Sequence, residues 1–197
     1  MLIEMLAAWA SQPSETFQVP GQSVRELLGT ASLIHEVRRD RGGIVACETV
    51  FRVLAEDNLY ANGGLITLDG SLNLHSTEGG YFGSIKISGR DVFISGERPI
   101  TVPYESDYGY FLSTDTGEPY PVSTSFQCED GGYCAAVDVD TIINMLSEFI
   151  VHGSLQGALN RTGGNTDLPF IIEATQSEWN AEEFLECARR LMSPVDQ

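Results

Sequence analysis

The side chains able to do chemistry are mostly carboxylates. Glu56, Asp57, Glu105, Asp107, Asp115, Glu118, Glu129, Asp130, Asp138 and Asp140 punctuate the chain. Two converging carboxylates could perform acid–base work on a sugar, but most of these sit at turn positions, where aspartate bonds to its own backbone. The three histidines, His35, His75 and His152, are too dispersed for a helix-borne zinc pair. There is no nucleophile-elbow serine, no phosphate-cradling loop with its lysine and no dinucleotide fingerprint. The residue pattern therefore points to a protein that is not an enzyme. The cysteines, Cys47, Cys128, Cys134 and Cys187, contain no CxxC pair, so a zinc ribbon is excluded. Cys128 and Cys134 bracket a turn, Glu129-Asp-Gly-Gly-Tyr, and can pair if their Cα atoms come within about 7 Å. Cys47 reads as a buried, inert thiol.

One stretch mixes acids with aromatics: Tyr104, Glu105, Asp107, Tyr108, Asp115, Glu118, Tyr120, Glu129 and Asp130. Such a strip suits contact with arginines and lysines of a protein partner. Whole-chain charge agrees. Among 197 residues, 28 Asp and Glu face 11 Lys and Arg, for a net charge of −17. That balance repels phosphate backbones and anionic membrane surfaces and attracts basic proteins. The partner expectation is thus a basic protein, with no direct nucleic acid, no membrane and no cofactor. A homodimer is compatible with the sequence, which does not fix the oligomeric state.

The elements that must position these residues follow from periodicity. Leu2, Met5, Leu6 and Trp9 share one helical face, and Ser23 can cap a second helix burying Val24, Leu27, Leu28 and Ala31. Arg38 to Gly43 reads as a charged break. From Val45 the period becomes two, with turns expected at Asn62-Gly-Gly, Asp69-Gly70, Glu78-Gly-Gly, Gly89 and Asp115-Thr-Gly. Asp140 can cap a helix that buries Ile142, Ile143, Leu146, Phe149 and Ile150 and stops at Gly153. A polar loop over Arg161–Asp167, a short strand at Pro169-Phe-Ile-Ile and a last helix burying Ala181, Phe184, Leu185, Ala188, Leu191 and Met192 complete the chain. The expected fold is α+β: a large antiparallel β-meander sheet flanked by N-terminal and C-terminal helices. It forms a single domain over 1–197, helical over 1–43, sheet over 44–137 and helical over 138–197. The N-terminus carries an acid and no basic region, so it does not read as a signal peptide. No stretch of about 18 apolar residues exists to span a membrane. A reduced, cytoplasmic protein is the default.

Two resemblances extend this reading. Ser23-Val-Arg-Glu-Leu-Leu, Val37-Arg-Arg-Asp-Arg, Gly64-Leu-Ile-Thr-Leu-Asp-Gly-Ser-Leu-Asn-Leu and Tyr110-Phe-Leu-Ser-Thr-Asp-Thr-Gly-Glu resemble one repeat of the HemS/ChuX family of haem-handling proteins, over about residues 23–126. That resemblance implies a large antiparallel sheet and haem as cofactor. The family's ligand histidine would fall near Ile44-Val45, neither of which binds iron, leaving His75 or Cys47 as the substitute. Arg38 and Arg39 would meet the propionates. Separately, Asn62-Gly-Gly, Ser106-Asp-Tyr-Gly-Tyr-Phe-Leu and the Ile142–Ile150 helix resemble the SUKH immunity domains, which implies neutralisation of a toxin by binding it. The leading expectation is an acidic binding or inhibitor protein that masks a basic macromolecule such as a toxin, nuclease or nucleic-acid-binding complex. Haem utilisation through an altered ligand is the alternative.

Overall fold

The structure, a computed structural model, describes residues 18–19, 22–23, 30–57, 59, 64–95, 98–174 and 181–193. The expected helices at Leu2–Trp9 and over residues 24–28 lie outside them, as does the turn at Asn62-Gly63. The described fold is mostly antiparallel sheet with two helices. Two short strands, β1 (Gln18–Val19) and β2 (Gln22–Ser23), pair with each other. The main sheet holds β3 (Thr30–Asp40), β4 (Gly43–Asp57), β5 (Gly64–Thr77), β6 (Gly80–Ser95), β7 (Arg98–Tyr104), β8 (Ser106–Leu112), β9 (Thr124–Gln127), β10 (Tyr133–Val137), β11 (Ser154–Arg161) and β12 (Leu168–Ala174). The helices are α1 (Val139–His152) and α2 (Ala181–Met192).

Spatial order is β8-β11-β12-β3-β4-β5-β6-β10-β9, with β7 also on β6. Every neighbouring pair is antiparallel except β12 with β3. β7 and β8 are one run broken only at Glu105, yet the first pairs with β6 and the second with β11. The run therefore joins two distant parts of the sheet, which must curl to allow it. The crossing is fastened by the Ser106 amide donating to Gly131 O and the Thr162 amide donating to Glu105 O, both at 2.9 Å.

Alternation places Phe51, Leu68, Leu72, Ile85, Ile87, Phe111, Leu159 and Phe170 in the core. Phe111 meets Phe51 and Phe170 edge-on, at 6.0 and 5.8 Å between centroids. α1 buries Ile142, Met145, Leu146 and Phe149 and packs on β11, β6 and β5. It begins after Asp138 rather than at Asp140, stops at Gly153 in the left-handed region (φ 69°), and leaves Ile150 exposed. α2 packs on β4, β3 and β5, burying Phe184, Cys187, Ala188 and Leu191; Leu185 and Met192 stay exposed.

Four local expectations are corrected. The helix-and-break reading of residues 30–43 gives way to β3 and a two-residue hairpin loop. Leu33, His35 and Val37 share one face, and the loop residues Arg41 and Gly42 both have positive φ, 48° and 88°, as the twist-matching turn requires. Asp69-Gly70 is no turn. It lies mid-strand in β5, where a Cβ on Gly70 would come within 2.3 Å of the Phe51 ring. Gly89 likewise stays within β6, leaving room for Tyr104, whose hydroxyl would lie 2.0 Å from a Cβ there. In both cases glycine serves close packing inside a strand. The segment after 138 is not helical throughout, because β11 and β12 return to the sheet between α1 and α2.

All described cysteines are paired. Cys128–Cys134 closes the β9–β10 hairpin with Cα atoms 5.6 Å apart, within the separation such a bridge needs. Cys47 is not a free thiol: it bonds to Cys187, tying α2 to β4 across 140 residues of sequence.

Candidate functional site

The nine residues of the acid–tyrosine strip do not share one face. Tyr104 turns inward, with the Arg161 guanidinium 3.9 Å from its ring centroid. Arg161 also ion-pairs with the fully buried Asp57 at 2.7 Å and with Asp91. Burial opposes its charge, but the bonds to Asp91 and the nearby carboxylates outweigh that and raise its pKa. Glu105 sits exposed at the β7–β8 crossing. Asp107 accepts from the Thr162 hydroxyl at 2.8 Å and the Gly163 amide at 3.3 Å. Tyr108 donates to Asp167 at 2.6 Å. That carboxylate also accepts from Tyr110 at 2.9 Å and Asn160 at 3.0 Å. These donors, Tyr108 first, hold its pKa below the ordinary value. Glu129 is exposed in the β9–β10 turn, and Asp130 beside it ion-pairs with Lys86 at 2.8 Å.

The remaining three, Asp115, Glu118 and Tyr120, come together. They line a cavity of about 600 Å³ between the 113–121 loop and α1. The loop is shaped by the turn at Thr114–Thr116, by Gly117 at φ 73°, and by the Tyr120 amide donating to Phe111 O at 2.9 Å. α1 contributes Asn144, Ser147, Glu148, Val151 and His152. Positions 144, 147, 148 and 151 form one stripe on a 3.6-residue helix. That spacing was the available signal for Glu148 and Asn144, which the sequence reading passed over because it followed the apolar stripe. His152 lies in the last turn of α1, and its Nε2 reaches Asp115 at 3.1 Å.

Glu148 is the centre of the cavity wall. It accepts from the Ser113 hydroxyl at 2.8 Å and the Thr114 amide at 2.5 Å, and Tyr120 lines the same cavity. Burial pushes its pKa up, but the hydroxyls of Tyr120 and Ser113 and the Thr114 amide win, and the net shift is down. Tyr120 moves the other way: burial, then the nearby Glu148 carboxylate, raises its pKa strongly. The two shifts leave an anionic carboxylate beside a neutral phenol. The cavity is built to hold negative charge facing a concave surface. Among the described residues, no lysine or arginine lines it.

His75, the haem candidate, lies on the outward face of β5. Its Nε2 is 2.8 Å from the Ser84 hydroxyl, and its ring stacks on Phe82 at 4.7 Å between centroids. Burial lowers its pKa; Glu48 opposes that shift and Arg38 adds to it. Among the described residues, no group of three or more His, Cys, Asp or Glu could hold a metal ion, and no helix is long and apolar enough to cross a membrane. Comparison with protein-family models, curated proteins and solved structures gives no match, so the HemS/ChuX and SUKH resemblances rest on the motifs quoted above.

Proposed function

We propose that this is an acidic, non-enzymatic binding protein that masks a basic protein partner, and that the cavity between the 113–121 loop and α1 receives a lysine or arginine side chain of that partner. One observation carries the reading. Residues 105–174 contain eleven Asp and Glu and a single lysine or arginine, Arg161, which is spent inside the fold on Asp57 and Asp91. Glu148, Asp115 and Glu118 supply the charge, while Tyr120, Pro119 and Val151 offer apolar surface to the stem of a long cationic side chain. A toxin, a nuclease or a nucleic-acid-binding complex has the required chemistry. The haem alternative has less support, since the His75 Nε2 is already hydrogen-bonded. A hemin titration that gives no Soret shift removes it. A reduced cytoplasmic setting also has little support, because both disulfides belong to an oxidising environment.

The test is capture of partners from host lysate with Glu148→Gln/Asp115→Asn beside the wild type. The reading expects a basic protein held by the wild type, released by salt and lost by the variant. Retention that salt and the variant leave unchanged overturns it.

A further inference from the structure

We propose that the partner's segment continues out of the cavity as an extended strand that adds to the free margin of β9. The inference rests on the reading above that the partner is basic.

The margins of β7, β8 and β9 carry no further strand among the described residues, nor do β3 beyond Ala31 and β12 before Glu173. There β3 carries the charges of Glu36, Arg38, Arg39 and Asp40, and the first three margins are treated differently. β7 carries Pro99 and Pro103, which have no N–H to offer an incoming strand. The outer side of β8 is covered by backbone bonds from Tyr120 and to Gly131, both at 2.9 Å, and by a bridge between Leu112 and Pro119. β9, Thr-Ser-Phe-Gln, has no proline and no charge, and among the described residues no strand or backbone bond covers its outer side. All four residues are exposed, Phe126 by 61%.

Its backbone is aimed. The Cys128 amide donates to Gly132 O at 2.8 Å, and the register runs Gln127↔Tyr133, Phe126↔Cys134, Ser125↔Ala135. Bonded pairs alternate along an antiparallel ladder. Phe126 and Thr124 therefore bond inward to β10, and Ser125 and Gln127 present N–H and C=O to solvent. The Cys128–Cys134 disulfide closes this hairpin, so the margin is held in shape before anything binds.

Charge and continuity select the occupant. Exposed Glu129, Asp138 and Asp140 flank the strand, whereas Asp130 is already neutralised by Lys86. The cavity loop ends at Pro121, three residues before β9 begins. A basic extended segment can thus place one cation in the cavity and run on as a strand beside Ser125 and Gln127. A second copy of this chain would bring the same acids face to face.

The test is residue-resolved amide exchange on the full oxidised chain, with an alternating Lys-Thr octapeptide and an alternating Glu-Thr octapeptide as probes. The Lys-Thr peptide should slow exchange of the Ser125 and Gln127 amides by at least about tenfold, and the Glu-Thr peptide should not. Ser125→Pro should abolish the slowing, because the outward N–H is gone while the ladder to β10 is intact. Should that variant fail to fold, the two-peptide comparison on the wild type decides alone. Slowing confined to the 113–121 loop overturns this inference and leaves the functional reading standing. No slowing at either place at low salt overturns both. Equal slowing by the two peptides, or slowing that rises with protein concentration and no peptide, also overturns it, the latter by identifying a second copy as the occupant.

Discussion

Residues 30–104 and 105–174 handle charge in opposite ways. The first stretch holds seven basic and nine acidic side chains, and its outward sheet face pairs them: Arg38 with Glu48 at 2.8 Å, and Asp69 between Arg52 and Arg90. The second holds eleven acids and one lysine or arginine, and it gives that cation to the first, where Arg161 pairs with Asp57 and Asp91. In return Lys86 neutralises only Asp130. Among the described residues, no lysine or arginine is ion-paired with the other ten carboxylates of the second stretch. Net charge alone cannot distinguish a soluble protein from an acidic docking face. The asymmetry between the two stretches can, because solubility needs no concentration of acid around one cavity.

The disulfides draw a similar line, and they give the largest expected effects. Cys47–Cys187 spans 140 residues and anchors α2 to the first stretch, whereas Cys128–Cys134 spans 6 within the second. On loop-closure entropy, Cys47→Ala/Cys187→Ala should cost about 5 kcal/mol and Cys128→Ala/Cys134→Ala about 2 kcal/mol. Urea unfolding of the two double variants measures the difference. Equal costs would mean that the long bridge does not form in the folded protein.

The next largest effect separates an internal cation from surface ones. Arg161→Met removes the ion pair of the fully buried Asp57. It should cost about 3–5 kcal/mol. Arg52→Met, at a partly exposed pair on the outward face, should cost less than about 1 kcal/mol. If the two variants unfold at similar urea concentrations, Arg161 is not the internal keystone that leaves the second stretch uncompensated.

Acid titration sharpens the contrast more gently. Glu148 and Asp167, both in the second stretch, have pKa values below their ordinary 4.5 and 3.8. The folded state therefore binds their protons less readily than the unfolded chain does. Their contribution to stability is complete above those ordinary values and is lost as pH falls through the depressed ones. Thermal unfolding between about pH 5 and pH 2 should show a smaller acid-induced loss in Glu148→Gln than in the wild type. An unchanged acid limb would mean that Glu148 is not held as an anion by Ser113 and Thr114.

Much of the architecture was legible in the sequence. Period-two alternation marked β4, β5 and β8, the Glu78-Gly-Gly turn stands at the β5–β6 hairpin, and the apolar stripe with Gly153 marked α1. The failures share a cause. Glycine was read as a turn residue, and at Gly70 and Gly89 it is instead the space under an aromatic ring. Arg38 to Gly43 was read as a break, and Arg41-Gly42 is a hairpin loop whose first strand, β3, was read as helix and break. Three residues of the acid–tyrosine strip, Asp115, Glu118 and Tyr120, line the cavity. However, alternation sends Tyr104 inward, and the curl of the sheet separates Asp107 and Tyr108 from Asp115, Glu118 and Tyr120. Glu148 was hidden for a different reason: a cavity needs two walls, and the second is supplied by an element some thirty residues further along the chain.

The central claim is that location, rather than total charge, governs binding. It is tested by the affinity of a lysine-rich decapeptide at about 50 and about 500 mM salt, conditions whose screening lengths differ about threefold. Two variants with the same net charge are compared with the wild type: Asp115→Asn/Glu118→Gln/Glu148→Gln around the cavity, and Glu36→Gln/Glu56→Gln/Glu78→Gln at exposed positions of the first stretch. The account predicts salt-sensitive binding that falls by at least about tenfold, about 1.4 kcal/mol, in the cavity variant and little in the other. Equal losses in the two variants, or binding indifferent to salt, would contradict it.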